Sequence, residues 1–333
     1  MTLTHDTFAT AASQEAKILA ETFADWERPQ YFLRVDGGFV LQGLFDEPPQ
    51  CRELLNHPAL PLRPNADEEP PQLLFGRCHG VPVLVHSGGW HTVDGHGILP
   101  GLFPTAVAHK AGARNALFID CALSLNPDLK SGRWAMLTDF INGFAISPIE
   151  GLHRHLEKPF PNLAETLSQF QNSEIINALA VVGETPMLCT YLGRPGFHLA
   201  TPAEAALARN QGADLLGHDL VLQLIFANAM AFRTSSLVLA GAQLLPGGDA
   251  IRLAWKDFHE TASFCSQQLV RTLRRSIAEL ENRPIEDRSS LKSTGLLDAS
   301  DSEAANDPDE LIYQNIRRSA TRTSPLSAFL KRQ

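Results

Sequence analysis

Three groups of residues in this sequence carry side chains able to move protons or bind ions. Asp120 stands beside Cys121, His218 stands beside Asp219, and His86, His91 and His96 are spaced five apart with Asp94 between them. Asp120 with Asp94, or Asp219 with His218, is a couple that can serve as acid and base in hydrolysis by water. Cys121 next to a carboxylate suggests a nucleophile. No base is placed beside it by the sequence, however, and a buried core cysteine is the simpler reading. A metal site needs two ligands on one face and a third held nearby, which five-residue steps in a turn do not supply, so no metal is expected. His153 and His155 flank Arg154 as in a solvated loop. Gly247-Gly248-Asp249 reads as a turn, without the GxGxxG pattern or following lysine of a phosphate loop.

These groups must be held by regular elements, and the chain offers many. Ala116 to Ile119 reads as a buried strand running into Leu125-Asn126-Pro127, and Trp134 to Leu137 as a second strand ending in Thr138-Asp139-Phe140-Ile141-Asn142. Residues 1–12 are small and polar and read as loose. Ile18, Leu19, Thr22, Phe23 and Trp26 repeat at helical spacing, which predicts a helix over Ser13 to Trp26, stopped by Pro29. Tyr31 to Val35 reads as a strand entering the turn Asp36-Gly37-Gly38. Residues 46–71, rich in proline and acid, read as a long surface loop. Leu73-Leu74-Phe75 and Val81 to Val85 predict a strand pair, and Phe103 to Lys110 a helix ending at Gly112. Thr201-Pro202-Ala203-Glu204 has the form of a capping box with proline at the first helical position, closed by Gly212. Ala178 to Val182 and Met187 to Tyr191 read as further elements. Leu220 to Met230 predicts a helix, Ser235 to Ala240 a strand, and Trp255 to Glu281 a long helix. Alternating strands and helices indicate an α/β sandwich with a mixed central sheet flanked by helices.

With 333 residues, 44% of them hydrophobic and 20% charged, the chain has the make-up of an ordinary globular protein. A net charge of -9 argues against nucleic acid or an anionic membrane as partner. No apolar run approaches the roughly 20 residues that span a bilayer. The start of the chain lacks a basic, then apolar, leader. Five scattered cysteines without CxxC spacing read as free thiols in a reducing cytoplasm. The division expected is an N-terminal extension with a helix (1–27), one main domain (28–283) and a polar tail (284–333). Either the tail is disordered or Asp309 to Ser319 forms a short helix that docks on a partner or on the protein itself.

Several segments, in order and nearly in spacing, resemble the trimeric purine nucleoside phosphorylases. Leu73 to His91 is similar to that family's strand pair and its Gly-Arg-Phe-His turn, here Gly88-Gly89-Trp90-His91. Leu125-Asn126-Pro127, and Asp139 with Asn142, resemble its Leu-Asn-Pro and Asp-His-Ile-Asn. Phe160-Pro161 looks like the Phe-Pro whose ring completes a neighbouring subunit's site. Thr201 to Gly217 resembles its capped helix and following strand, and His259-Glu260 the start of its last helix. The likeness covers about residues 28–280. It implies a nucleoside-phosphorylase-like single-domain sandwich, a homotrimer, no cofactor, and cleavage of a purine N-glycosidic bond with phosphate as nucleophile.

The residues that would perform this reaction are largely changed. Relative to the family, the Gly-Ser-Gly loop is Asp36-Gly37-Gly38, the arginine is Gly89, a histidine is Glu69 within Glu68-Glu69-Pro70-Pro71, and a serine is Asp219. Losing two charge-assisted hydrogen bonds would weaken phosphate binding by roughly two to four orders of magnitude. Each added carboxylate repels the anion further, by about 4 kcal/mol at 4 Å in an effective dielectric near 20. On the purine side Ala200 stands for the base-binding glutamate and Gly241 for the amide that would bond the purine. Asp120-Cys121-Ala122-Leu123-Ser124 replaces a glycine-bearing run, so that Leu123 could fill the cavity. Val93 replaces a tyrosine and His218 a methionine, while His91, His259 and Phe160 are kept. The expectation is a non-phosphorolytic relative with a binding or structural role, its ligand, if one is kept, a nucleoside or nucleobase. The alternative is a divergent enzyme on N-glycosides, phosphorylase or hydrolase, with His91 and Asp120 as catalytic residues and Gly37, Gly89, Ala200, His218, Gly241, His259 and Phe160 as pocket positions.

Overall fold

A strand has two hydrogen-bonding edges, and the fold is organised by the strand that must share one of them. In a computed structural model, which describes residues 3–61, 70–196, 198–245 and 254–281, β5 (Asn115–Ser124) lies in the middle of a mixed sheet. Along one edge it runs parallel to β9 (Arg233–Gln243) over its whole length. Along the other it pairs in parallel with β1 (Tyr31–Val35) only from Asn115 to Ile119. It meets that edge again at Leu123 and Ser124, where it pairs antiparallel with the short β8 (Leu215–Gly217). The stretch Asp120 to Ala122 between them is the point where the sheet parts.

On the β1 side the sheet continues through β4 (Val81–Ser87), β3 (Gln72–Cys78) and β2 (Gln50–Glu53), with β1 and β4 parallel and the other two pairs antiparallel. On the β8 side it continues through β7 (Met187–Gly193) and β6 (Trp134–Asn142), and β6 closes back onto β9. Strands β5, β8, β7, β6 and β9 thus form a closed ring beside an open sheet. The extra residue in β9 that lets Ala122 face Ala240 and Leu123 face Ala242 is Gly241, so this position is a β-bulge.

Helices cover both faces. Phe32, Ala116 and Phe118 pack with α1 (His5–Thr22), α2 (Leu99–Ala111) and α5 (Leu220–Ala229) on one side. Leu33, Val35, Leu117 and Ile119 pack with α3 (Gln169–Val181) and α6 (Trp255–Glu281) on the other. A smaller apolar cluster joins α4 (Pro202–Asn210) to Leu123, Leu216 and Phe258. Among the described residues no helix is long and apolar enough to cross a membrane.

Two expectations are corrected. The start of the chain is helical from His5, not loose to residue 12. Thr4 and Thr7 exchange a capping box, and Phe8 packs edge-on against Phe103 and Phe226. The stripe Phe8, Ala11, Ala12, Ala16, Leu19 relies on alanines, which a count of large apolar residues overlooks. Within the expected loop 46–71, Gln50–Glu53 is a strand: only four residues long and half exposed, it lacks a readable alternation. The Glu68-Glu69 and Gly247-Gly248-Asp249 segments and the tail from residue 284, including the proposed Asp309–Ser319 helix, lie outside the described residues.

The N-terminal helix is tied to β2 by a charge network. Glu15 is 0% exposed and accepts from Arg52 Nε at 2.7 Å and from His57 Nε2 at 3.2 Å. Burial works against the carboxylate, but His57 and Arg52 together hold it below the ordinary value of 4.5. A carboxyl that is more acidic in the fold gives stability that is present above 4.5 and lost as the pH falls through the folded-state value. Glu15→Ala is expected to cost about 2 kcal/mol at pH 7 in urea unfolding, and clearly less near pH 3.

Candidate functional site

Where the sheet parts at Asp120 to Ala122, a cavity of ≈350 Å³ opens. Its rim comes from the carboxyl ends of parallel strands, where open α/β sheets place their ligands. The turn Asp36-Gly37 follows β1, His91 follows β4, and His218-Asp219 follows β8. Leu199 and Ala200 ahead of α4, and Trp255, Phe258 and His259 at the start of α6, form the opposite wall. Two glycines allow the elements to come this close. A methyl group at Gly38 (φ +84°) would fall on the imidazole of His259, and one at Gly217 would fall on the phenol hydroxyl of Tyr191.

Most of the expected site residues meet here. Gly37, His91, Asp120, Ala200, His218 and His259 all line the cavity. Three expected positions do not. Gly241 is the bulge behind the wall, hemmed in by Cys121 and Phe258. Gly89 sits over His86, with Arg34 Nη2 3.7 Å from where its side chain would begin. Phe160 is 95% exposed at the surface. Leu123, expected to fill the space, stands on the wall and leaves it open. Among the described residues no group of three His, Cys, Asp or Glu could hold a metal.

The acid–base couples differ from those expected. Asp219 is paired not with its neighbour His218 but with His91, whose Nδ1 lies 3.2 Å from Oδ2. Thr92 adds its backbone N–H at 2.9 Å and its hydroxyl at 2.5 Å. Burial resists ionisation of Asp219, but His91 and Thr92 together hold it below the usual aspartate range. Burial also resists a charged His91, and there the bond to Asp219 and the fields of Asp36 and Asp219 outweigh it, so its basicity rises. His218 instead faces the carbonyl of Arg194 through Nδ1, and burial lowers its basicity. Asp94 caps its own turn by accepting from the His91 N–H at 2.8 Å and takes no part with Asp120.

Asp120 has a neutral partner. Its Oδ2 accepts from the Tyr191 hydroxyl at 2.8 Å, and that same oxygen of Tyr191 accepts from the His218 N–H at 2.9 Å. Burial, reinforced by the negative charge of Asp36, pushes Asp120 up to about 7 in spite of the bonds from Tyr191 and the Cys121 N–H. Cys121 donates to the Phe258 carbonyl, and burial beside Asp120 keeps it a thiol, so it is no nucleophile. The remaining cation on the wall, Arg194, is held by Glu204 at 2.6 Å. Glu204 is also the carboxylate of the Thr201 capping box and is drawn down to about 2 by the Thr201 N–H first.

Sequence reading missed Tyr191 and Arg34. Arg34 had a visible signal, a lone charge in the apolar run Tyr31-Phe-Leu-Arg-Val35. Tyr191 had none, since a tyrosine in a strand is usually core.

Asp120 holds its proton more tightly folded than unfolded, so its contribution is intact below 3.8 and is lost as the pH rises towards 7. Asp120→Asn is therefore expected to be more stable than the wild type at pH 8, by on the order of 2–4 kcal/mol, with little difference near pH 4. Chemical denaturation at the two pH values measures this.

Residues 48–277 match the Phosphorylase superfamily. The purine nucleoside phosphorylase of Mycobacterium leprae is 30% identical over 171 residues, which is 50% of this chain and 59% of that protein. Purine nucleoside phosphorylase 1 of Geobacillus stearothermophilus is 26% identical over 224 residues, 66% of this chain and 79% of that protein. The chain thus spans less than two thirds of the Mycobacterium leprae relative. The fold is that of the Schistosoma mansoni purine nucleoside phosphorylase crystallised with inosine, at a TM-score of 0.72 with 18% identity, covering 83% of this chain and 97% of that one. With its mixed sheet and flanking helices, this chain belongs to the phosphorylase superfamily as a purine-nucleoside-phosphorylase-like member.

Proposed function

We propose that the chain binds a neutral nucleoside or its free base in this cavity and does not use inorganic phosphate. One observation carries the reading: among the described residues, Arg34, His91 and Arg194 at the site already have carboxylates from the chain itself, in Asp36, Asp219 and Glu204. A phosphate dianion entering the cavity would meet the carboxylates of Asp36 and Asp219, while Arg34, His91 and Arg194 among the described residues are already paired. Unit charges at 4 Å repel by about 4 kcal/mol in an effective dielectric near 20. A neutral ligand meets no such barrier. The volume of ≈350 Å³ suits a small molecule, and the wall of Leu199, Ala200, Trp255 and Phe258 suits a flat apolar ring. The relatives' name, and the inosine in the Schistosoma mansoni structure, support a nucleoside as the class.

A second reading, hydrolysis of the N-glycosidic bond by water, is favoured by Asp120 near 7 and by the His91–Asp219 couple. In its neutral form, His91 would take a proton from the attacking water as its oxygen bonds to the anomeric carbon. Asp120 would give one to the departing base as the carbon–nitrogen bond breaks. A homotrimer in a reducing cytoplasm belongs to the same proposal, supported by the exposed ring of Phe160 and by five free cysteines.

Thermal shifts with inosine, guanosine, hypoxanthine and guanine test the binding. A ligand at a hundred times its dissociation constant stabilises by about 2.7 kcal/mol, a shift of a few degrees. The shift is expected with a nucleoside or base and is expected to be indifferent to added phosphate. Phosphate-dependent release of the base would refute the reading. Release without phosphate, lost in His91→Ala, would establish the hydrolytic form.

A further inference from the structure

Arg34 is 1% exposed on β1 and is the charged member of an otherwise apolar strand. Its Nε donates to Asp36 Oδ2 at 2.7 Å and its Nη1 to the Gly101 carbonyl of α2 at 2.7 Å. Among the described residues its Nη2 has no hydrogen-bond partner, nor has Asp36 Oδ1. A guanidinium and a carboxylate commonly join through two parallel bonds on the Nε/Nη2 edge. Here a single oxygen engages that edge, and one donor and one acceptor are left over, both buried. Asp36 lines the cavity, and Arg34, bonded to it, holds its Nη2 3.7 Å from where a side chain on Gly89 would begin. A buried guanidinium is costly without a counter-charge, so it must hold either a carboxylate of the chain or an anion from outside.

We propose that Asp36 is the residue that sets the ligand charge this cavity accepts: it serves as a built-in anion on Arg34 and thereby excludes oxyanions of the phosphate class. The inference rests on the neutral-ligand reading above and identifies the group responsible for it. Asp219 holds His91 in the same way, but its three hydrogen bonds leave little capacity, whereas the Asp36–Arg34 pair is incompletely bonded and is the one a single substitution can convert. Asp36 also acts on both proton-bearing groups of the site, raising His91 and Asp120. Its removal is therefore expected to lower both.

The experiment is isothermal titration of inorganic phosphate into the full-length wild type, Asp36→Asn, and Asp36→Asn combined with Arg34→Met. Asparagine keeps an oxygen for Arg34 Nε and removes the charge. The expectation is a phosphate dissociation constant about ten- to a hundredfold lower in Asp36→Asn than in the wild type, the worth of one or two charge-assisted bonds. The double variant is expected to return to the wild-type value. Imidazole titration of His91 by NMR should move to lower pH in Asp36→Asn, which verifies that the Asp36 charge has been lost at the site. If the folded single variant binds phosphate no better than the wild type, the inference is overturned while the neutral-ligand reading stands. If the wild type itself binds phosphate tightly, that reading fails as well. Should Asp36→Asn not fold, Asp36→Ser is prepared with and without phosphate. Folding only in phosphate supports the inference, and folding in neither condition makes the pair a structural clamp and overturns it.

Discussion

The edge that β5 shares between β1 and β8 is the constraint from which the site follows. Parallel pairing with β1 ends at Ile119, and antiparallel pairing with β8 begins at Leu123. A strand cannot be bonded in both senses at one residue, so a short stretch on that edge must lie free of either ladder. Asp120, Cys121 and Ala122 occupy it, and the cavity opens against them. The bulge at Gly241 on the opposite edge lets β5 bend there without breaking its pairing to β9. The polar residues of the site are thus placed by backbone topology. Changing them leaves the opening where it is, which is how a fold can keep a pocket after its chemistry has been altered.

Charge is distributed around that opening in a way that composition does not reveal. The chain carries a net charge of -9, yet among the described residues Arg34, His91 and Arg194 at the site are each matched by a carboxylate a few ångströms away. Such pairs gain little as stability elements, because the desolvation of both partners offsets much of their attraction. On the proposed reading, their effect is on recognition. An anion from solution would have to compete with a carboxylate that is already in place and has lost no translational freedom in getting there. A neutral ligand has only to displace water.

Much of the scaffold was legible in the sequence because its signals are local. The capping box at Thr201 and Glu204, the strand Tyr31–Val35 and the long helix Trp255–Glu281 all form where the pattern predicts them. Elements whose signal is spread over small residues or over few residues, such as the first turns of α1 and the strand Gln50–Glu53, were not. The members of the site were largely visible as residues but not as partners. His218 and Asp219 are adjacent, and adjacency suggested a couple, but consecutive residues at the end of a strand point different ways. Asp219 reaches His91, 128 positions earlier, and Asp120 reaches Tyr191, 71 positions later. Only the sheet order brings these pairs together, and no spacing rule encodes it.

Asp120 is the exception to the balance around it. Asp36, Asp219 and Glu204 each have a cation, and Asp120 has a phenol, an amide and a neighbouring negative charge. Its position makes the fold less stable at neutral pH than a neutral residue would, since the chain must either keep the carboxyl protonated or bury its charge. Packing does not require a carboxyl there: Tyr191 could be satisfied by an amide. The other carboxylates at the cavity are accounted for by the cations they hold, and Asp120 is accounted for only by the proton it carries. A group that gains or loses a proton near pH 7, at the point where the sheet opens and beside a histidine of raised basicity, has the properties of an acid for a leaving group. Within the proposed function, these properties make Asp120 the group on which the hydrolytic form would depend.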